Sequence, residues 1–406
     1  MLTADAQGKT ISPAPENSPT IWLVCDLAPK KRGSMETELV SLGARLSLAG
    51  ARATFVFSRA TPAWMSSALD GCGVDVRVLD FRRPAAAALA FTRMMEAARP
   101  ALVHFHFVRA YSPLVAIAKA AGARIILHDH ITLGQPTNPG HRRRAAIPSL
   151  LARGYKRARA AALNGFVDRR IAVSRFVAKS VRDVEFCDQE KLTVIENGIE
   201  LQRFAAAEGE SLRAELRVGA GRKMVGCVSR VAPEKGIELL IRAMARVGRD
   251  ALLVVVGDGP GVDDCRALAA SLGLGDHVRF LGLRDDVERV YAAADVMVMP
   301  SLWDEAFGLV VVEAMAAARP VVVTRSGAMP ELVAGGRGVV VPKGDEVAMA
   351  GAIGRLLDDD ALRARMGQAA RAHALERFGM PVWVERILAE YAALVPGLAP
   401  TARRAA

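Results

Sequence analysis

Short apolar runs alternate along almost the whole chain with longer stretches in which apolar positions recur every three or four residues. The short runs predict strands at 21–26, 53–57, 75–79, 101–106, 124–128 and 168–173. After a break, further strands are predicted at 192–195, 224–228, 251–256, 277–281, 295–299, 320–323 and 338–341. Helical spacing fills most gaps, for example 34–49, 85–98, 235–247, 262–272 and 362–375. Strand–helix alternation of this kind predicts parallel sheets covered by helices on both faces. The number of units suffices for two sheets, and no short-period repeat is seen.

A chain of 406 residues is too long for one ordinary core. The best boundary lies near 200–222: Asn197-Gly198 is a turn signal, the stretch 205–210 is rich in small and acidic residues, and a fresh strand begins at Met224. The expected fold class is α/β, with two facing Rossmann-like doubly wound domains. Residues 1–19 read as a disordered lead-in, 20–200 as the first domain and 201–377 as the second. A helix with Trp383 opens the segment 378–406 and is expected to pack back on the first domain. A cleft between the carboxyl ends of the two sheets would be the ligand site.

Composition narrows the function classes. Half the residues are hydrophobic and a quarter are charged, as in a globular enzyme. Aromatics make up 5%, too few for the stacking surfaces of a single-stranded nucleic-acid binder, so no nucleic-acid partner is expected. The net charge of +11 fits either Arg-rich solvated surfaces or an anionic partner such as a phosphate-bearing substrate or an acidic membrane face. Five scattered cysteines with no C-x-x-C read as small buried hydrophobes in a reducing compartment. The polar, Pro-rich start lacks a basic-then-apolar leader, and no apolar run reaches membrane-spanning length. A cytoplasmic protein is expected, with peripheral attachment at the inner face of the plasma membrane as a variant.

Candidate chemistry is densest in the second half. The stretch Pro300–Met315 is a strand-exit loop running into an apolar helix, with Glu305 on the loop and Glu313 on the helix. Such a layout can hold polar sugar groups while helix N–H groups face a phosphate. Glu313 sits among Val310, Val311, Val312, Ala314 and Met315, where a carboxylate without a partner would be costly, which favours a ligand. Arg230 and Lys235 follow strand 224–228 and suit a diphosphate; solvated helix-start charges are the plain alternative. Gly257-Asp258-Gly259-Pro260 fails as a dinucleotide fingerprint, because Val262 takes the third glycine position and Pro260 interrupts the loop. A turn that lets a nucleotide approach backbone, or a plain tight turn, remains.

The ordered set Arg230 and Lys235, Gly257–Pro260, Pro300-Ser301, Glu305–Gly308, Glu313–Met315, Gly327 and Pro330-Glu331 resembles the retaining glycosyltransferases of family four, which have the GT-B fold. The resemblance spans roughly 20–395 and is most specific from 224 to 335. It implies transfer of a hexosyl group from a UDP- or GDP-linked sugar to a hydroxyl of a glycan or lipid-linked acceptor, in cell-envelope or exopolysaccharide assembly. The first domain would then be the acceptor side. Arg230 and Lys235 would bind the donor diphosphate, Glu305 the donor sugar and Glu313 the ribose hydroxyls. Main-chain groups of Phe307, Gly308, Leu309 and Val310 would meet the distal phosphate. The chain near Leu281 would line the base pocket, and His128 would hydrogen-bond an outer sugar hydroxyl. In the first half Gly33 is followed by Ser34, where the family has a Gly-Gly pair; the loop can still approach a phosphate, and Lys30, Lys31 and Arg32 add positive potential. No cofactor is implied. A non-catalytic nucleotide-sugar-binding protein is the alternative.

Four of the seven histidines, in His104-Phe105-His106 and His128-Asp129-His130, sit at two strand ends. H-x-H places two imidazoles on one strand face, which raises a metal-dependent hydrolase as a further alternative. His141, His277 and His373 are not placed to complete it, so no metal is expected. The D-x-D within Asp358-Asp359-Asp360 reads as a helix cap. A basic cluster, Arg142, Arg143, Arg144, Arg153, Lys156, Arg157 and Arg159, fits either an interfacial helix on anionic lipid or a solvated helix face.

Overall fold

The computed structural model describes residue 15 and residues 17–30, 33–132, 160–248 and 251–398. It divides into two compact units, one made of residues 1–198 and 380–406, the other of 199–379. All thirteen expected strands form, each within one residue of its predicted limits at either end.

The first unit holds β1 (Thr20–Cys25), β2 (Arg52–Phe57), β3 (Asp75–Val78), β4 (Leu102–His106), β5 (Arg124–Asp129), β6 (Arg169–Ala172) and β7 (Leu192–Val194). They make one parallel sheet in the order β3-β2-β1-β4-β5-β6-β7. Alternate residues of β1 enter different cores, as the period of a strand requires. Ile21, Leu23 and Cys25 face one, Trp22 and Val24 the other. The first of these cores is completed by the helix Met380–Leu394, which contributes Trp383, Ile387, Leu388 and Tyr391. That helix is therefore a structural part of the first unit, although 181 residues of the second unit precede it.

The second unit holds β8 (Lys223–Val228), β9 (Ala251–Val256), β10 (Val278–Phe280), β11 (Val296–Met299), β12 (Val321–Thr324) and β13 (Gly338–Val341). The order is β10-β9-β8-β11-β12-β13, again all parallel. Both sheets reverse their strand order once, at β1/β4 and at β8/β11. Outside the carboxyl ends of such a pair, the connections diverge to opposite faces and leave a crevice. The five cysteines are free and buried. Asp359 accepts from the Leu362 N–H at 2.8 Å and so caps the helix Asp360–Arg377, as the triple-Asp reading expected.

Candidate functional site

In the second unit, β8 and β11 lie side by side, so the loops that leave them meet. Arg230 follows β8 and is exposed; its guanidinium pairs with Glu234 four residues on. Lys235 was expected at the start of the helix 235–247. It sits instead on a one-turn 3₁₀ helix, Pro233–Lys235, and the α-helix begins at Ile237 after a left-handed Gly236. From there the Lys235 Nζ donates to Glu305 Oε1 at 2.7 Å. The Ser301 hydroxyl donates to the same oxygen at 2.8 Å. Lys235 and Glu305 are each about a quarter exposed, so the pair is screened only in part.

Backbone contacts hold the Glu305 loop rigidly. The Leu302 and Trp303 N–H groups donate to the Glu234 carbonyl at 2.9 and 3.1 Å, tying the β11 loop to the β8 loop. On the other side Ala328 N–H donates to the Glu305 carbonyl at 2.8 Å, and Gly327 N–H donates to Asp304 Oδ1 at 3.0 Å. Lys343 pairs with Asp304 as well. Gly327 has φ of 55°, and a Cβ there would lie 2.1 Å from the Glu305 carbonyl oxygen. Only glycine permits this approach.

The helix Leu309–Ala316 starts at Gly308, in the left-handed region, without a side-chain cap. Its first-turn N–H groups thus point out of the helix with no side-chain acceptor. Leu309 and Val310 are half-buried, whereas the Phe307 ring is buried and packs edge-on against Phe378 at 5.7 Å. Phe307 can therefore serve a ligand through its main chain alone.

Glu313 was expected to face a ligand, since a buried carboxylate without a partner is costly. Within the protein the Tyr291 hydroxyl donates to Glu313 Oε2 at 2.5 Å, a partner the apolar flanks did not reveal. Burial pushes the Glu313 carboxyl above its ordinary value, and the Tyr291 hydrogen bond opposes that rise. Burial, and then the Glu313 charge, hold the Tyr291 phenol well above its own. The glycine turn after β9 also has a local explanation. A Cβ on Gly257 would lie 2.0 Å from the Ser229 carbonyl oxygen, and one on Gly259 would lie 2.2 Å from that of Val231. These glycines let two strand-exit loops touch, so the close approach is first to protein backbone rather than to a nucleotide. Leu281 N–H continues the ladder to the Val255 carbonyl at 2.9 Å, and Leu283 beside it is 78% exposed.

In the first unit Gly33 is the N-terminal flanking residue of the helix Ser34–Leu48, with an ordinary φ of −107° and no side-chain cap. His104, His106 and His128 are buried at 0%, 0% and 3% exposure, and His130 is half-buried beside Phe107. His104 Nδ1 meets the Tyr391 hydroxyl at 2.6 Å, and His106 Nδ1 meets His130 Nε2 at 2.9 Å. His104 Nε2, His106 Nε2 and both ring nitrogens of His128 have no hydrogen-bond partner. Each such group, buried, costs about 1–3 kcal/mol. Burial holds all four imidazoles below their ordinary range, His130 at about 3. Lys31, Arg32 and the basic cluster 142–159 lie outside the described residues.

Tyr291, Ser301, Glu234 and Tyr391 are partners that motif reading did not single out. Ser301 lay inside a quoted motif, but nothing in spacing linked it to Glu305. Tyr291 and Tyr391 carry a weak signal, as two of only four tyrosines in the chain.

Residues 209–373 match the family described as Glycosyl transferases group 1, and residues 35–203 match Glycosyltransferase Family 4. A D-inositol 3-phosphate glycosyltransferase of Salinispora arenicola is 36% identical over 254 residues, 57% of this chain and 56% of the relative. A GDP-mannose-dependent alpha-(1-6)-phosphatidylinositol monomannoside mannosyltransferase of Mycolicibacterium smegmatis is 38% identical over 194 residues, 45% of this chain and 51% of that one. The matches thus span about half the length of these curated relatives. Among solved structures, the Anabaena HepE protein in complex with UDP superposes with a TM-score of 0.76 over 92% of this chain and 100% of its own, at 23% identity. Its complex with UDP and glucose gives 0.72, over 92% of this chain and 99% of that one, at 25% identity.

Proposed function

Since the chain belongs to the glycosyltransferases, with a family 4 half followed by a group 1 half on two Rossmann-like units of the GT-B class, we propose that it moves a hexosyl group from a nucleotide-diphosphate sugar to an acceptor hydroxyl. The observation that carries this reading is the Lys235–Glu305 pair, held at the β8/β11 reversal beside the uncapped start of the helix Leu309–Ala316.

Breaking the bond between sugar and diphosphate leaves negative charge on a phosphate oxygen. Arg230, Lys235 and the first-turn amides after Gly308 oppose that charge, and positioned charges of this kind are the strongest single lever on such a step. Glu305 uses Oε1 for Lys235 and Ser301, which leaves Oε2 to accept from a donor-sugar hydroxyl. Glu313, held by Tyr291, takes the ribose hydroxyls, and the Leu281 segment takes the base. In the first unit Gly33, at the start of the helix Ser34–Leu48, would let backbone approach a phosphate, and the unpartnered nitrogens of His128 suit an outer sugar hydroxyl. No carboxylate here is placed as a nucleophile. The resemblance to the retaining transferases of family four implies retention by front-face attack, with the leaving phosphate accepting the acceptor proton.

The donor is UDP- or GDP-linked, as the HepE complexes and the mannosyltransferase relative support. The acceptor is a glycan or lipid-linked hydroxyl in envelope polysaccharide assembly, met at the cytoplasmic face. Among the described residues no helix is long and apolar enough to cross a membrane. The test is nucleotide-diphosphate release from a panel of UDP- and GDP-hexoses with lipid-linked acceptors. Turnover that Arg230→Ala, Lys235→Ala and Glu305→Ala each lower by roughly a hundredfold or more supports the reading; wild-type rates in all three sink it. Donor binding without any turnover would favour a binding protein instead.

A further inference from the structure

The register pairs His106 of β4 directly with His128 of β5, and His104 lies two residues before His106. All three imidazoles therefore leave the same face of the first sheet. One ring nitrogen from each lies within 4.8 Å of the others. The hydrogen bonds already present divide the two ring nitrogens between two jobs. Nδ1 of His104 and of His106 meets an outer partner, Tyr391 and His130 respectively, while their Nε2 atoms have none. Assigning the proton to Nδ1 in both rings, as those partners allow, leaves an uncommitted lone pair on each buried Nε2. Metal-binding histidines use this arrangement, with the far nitrogen fixed by an outer hydrogen bond.

Plain core packing does not account for the cluster, because it leaves four ring nitrogens buried without partners. We infer that His104, His106 and His128 form a binding site for one late first-row divalent cation, of which Zn²⁺ is the natural probe. Imidazole nitrogen suits zinc, copper and nickel, and excludes the hard cations magnesium and calcium. Tetrahedral zinc with nitrogens at about 2.0–2.1 Å sets them ~3.4 Å apart, so the rings close by no more than ~1.4 Å. With three imidazoles bound, a water would fill the fourth position of a tetrahedral ion. The inference stands apart from the transfer reading. That reading gives His128 to a sugar hydroxyl, so the ion and the sugar draw on the same ring, which has two unpartnered nitrogens.

The experiment uses tag-free full-length chain, dialysed against Zn²⁺ or Co²⁺ at neutral pH and then against metal-free buffer. The expected result is one equivalent of metal per chain, with tetrahedral cobalt bands in the visible spectrum. His106→Gln is expected to lose the ion, and Tyr391→Phe, which removes only an outer partner, to weaken it roughly tenfold. X-ray absorption on the wild-type zinc form needs no variant and should count three imidazoles. Failure of the wild type to hold a stoichiometric ion would overturn the inference. So would sulfur or carboxylate ligands in the zinc shell, or an ion retained unchanged by His106→Gln.

Discussion

Lys235 and Glu305 stand 70 positions apart in sequence and share a 2.7 Å charge-assisted hydrogen bond. Each side chain is therefore held by the other before any ligand arrives. Losing either removes a positioned charge or its holder, and turnover should fall on the order of 10²–10³-fold in Lys235→Ala and in Glu305→Ala. Because they act as a unit, the double variant should be little worse than the weaker single. Steady-state kcat/KM for donor consumption checks this, and fully multiplicative losses would count against a coupled pair.

Glu313 sets stability against binding. Its carboxyl titrates above the ordinary 4.5 in the folded chain, so the folded state holds that proton more tightly than the unfolded one. The stability linked to it is complete below the unfolded value and is lost as pH rises through the folded value. Glu313→Gln keeps an acceptor for the Tyr291 hydroxyl and removes that loss. Its Tm should exceed the wild-type value at neutral pH and converge with it below about pH 4. Its KM for the nucleotide sugar should rise, since the ribose loses a charged acceptor. A lower Tm at pH 7 would refute the sign.

Gly327→Ala tests the packing behind Glu305. The added methyl would meet the Glu305 backbone oxygen at 2.1 Å, with the residue held at a φ of 55°. The loop must shift, because the obstacle is backbone on both sides. Turnover should drop more than about tenfold, since displacements near an ångström cost that much or more in a positioned site. Far-ultraviolet circular dichroism should stay unchanged, and an unaltered rate would show that the Glu305 loop tolerates displacement.

Removing residues 380–398 should leave the first unit unfolded. Trp383, Ile387, Leu388 and Tyr391 are each at most 2% exposed in its core. At about 1.5–3 kcal/mol for each large side chain, the loss is comparable to the stability of a whole domain. Soluble, protease-resistant chain after this truncation would contradict the packing described.

The strands were legible because parallel strands, buried on both faces, are written as near-continuous runs of Val, Ile and Leu. Leu252 to Val256 is one such run, and no other element competes for it. What could not be read is which loops end up side by side. The second sheet places β8 next to β11, three strands later in the chain, and this neighbour relation alone brings Lys235 to Glu305. The same holds for His104 and Tyr391, 287 positions apart. Glu313 shows a subtler gap. Its cost of burial was visible from its apolar flanks, but the group that meets it sits on another helix, Val287–Ala293, whose packing no local pattern announces. Gly257 and Gly259 likewise advertised a close approach without saying to what.

The return of the helix Met380–Leu394 to the first unit fixes an order of events during synthesis. The chain leaves the first unit after Gly198 and re-enters it at Met380. All of the second unit is thus made before the residues that close the first unit's core emerge from the ribosome. Folding usually proceeds from the N-terminal domain onward. Here the second unit can reach its native state first. The first unit must wait with the face meant for Trp383 and Tyr391 open, exposed to chaperones and to aggregation for the time needed to translate 181 residues.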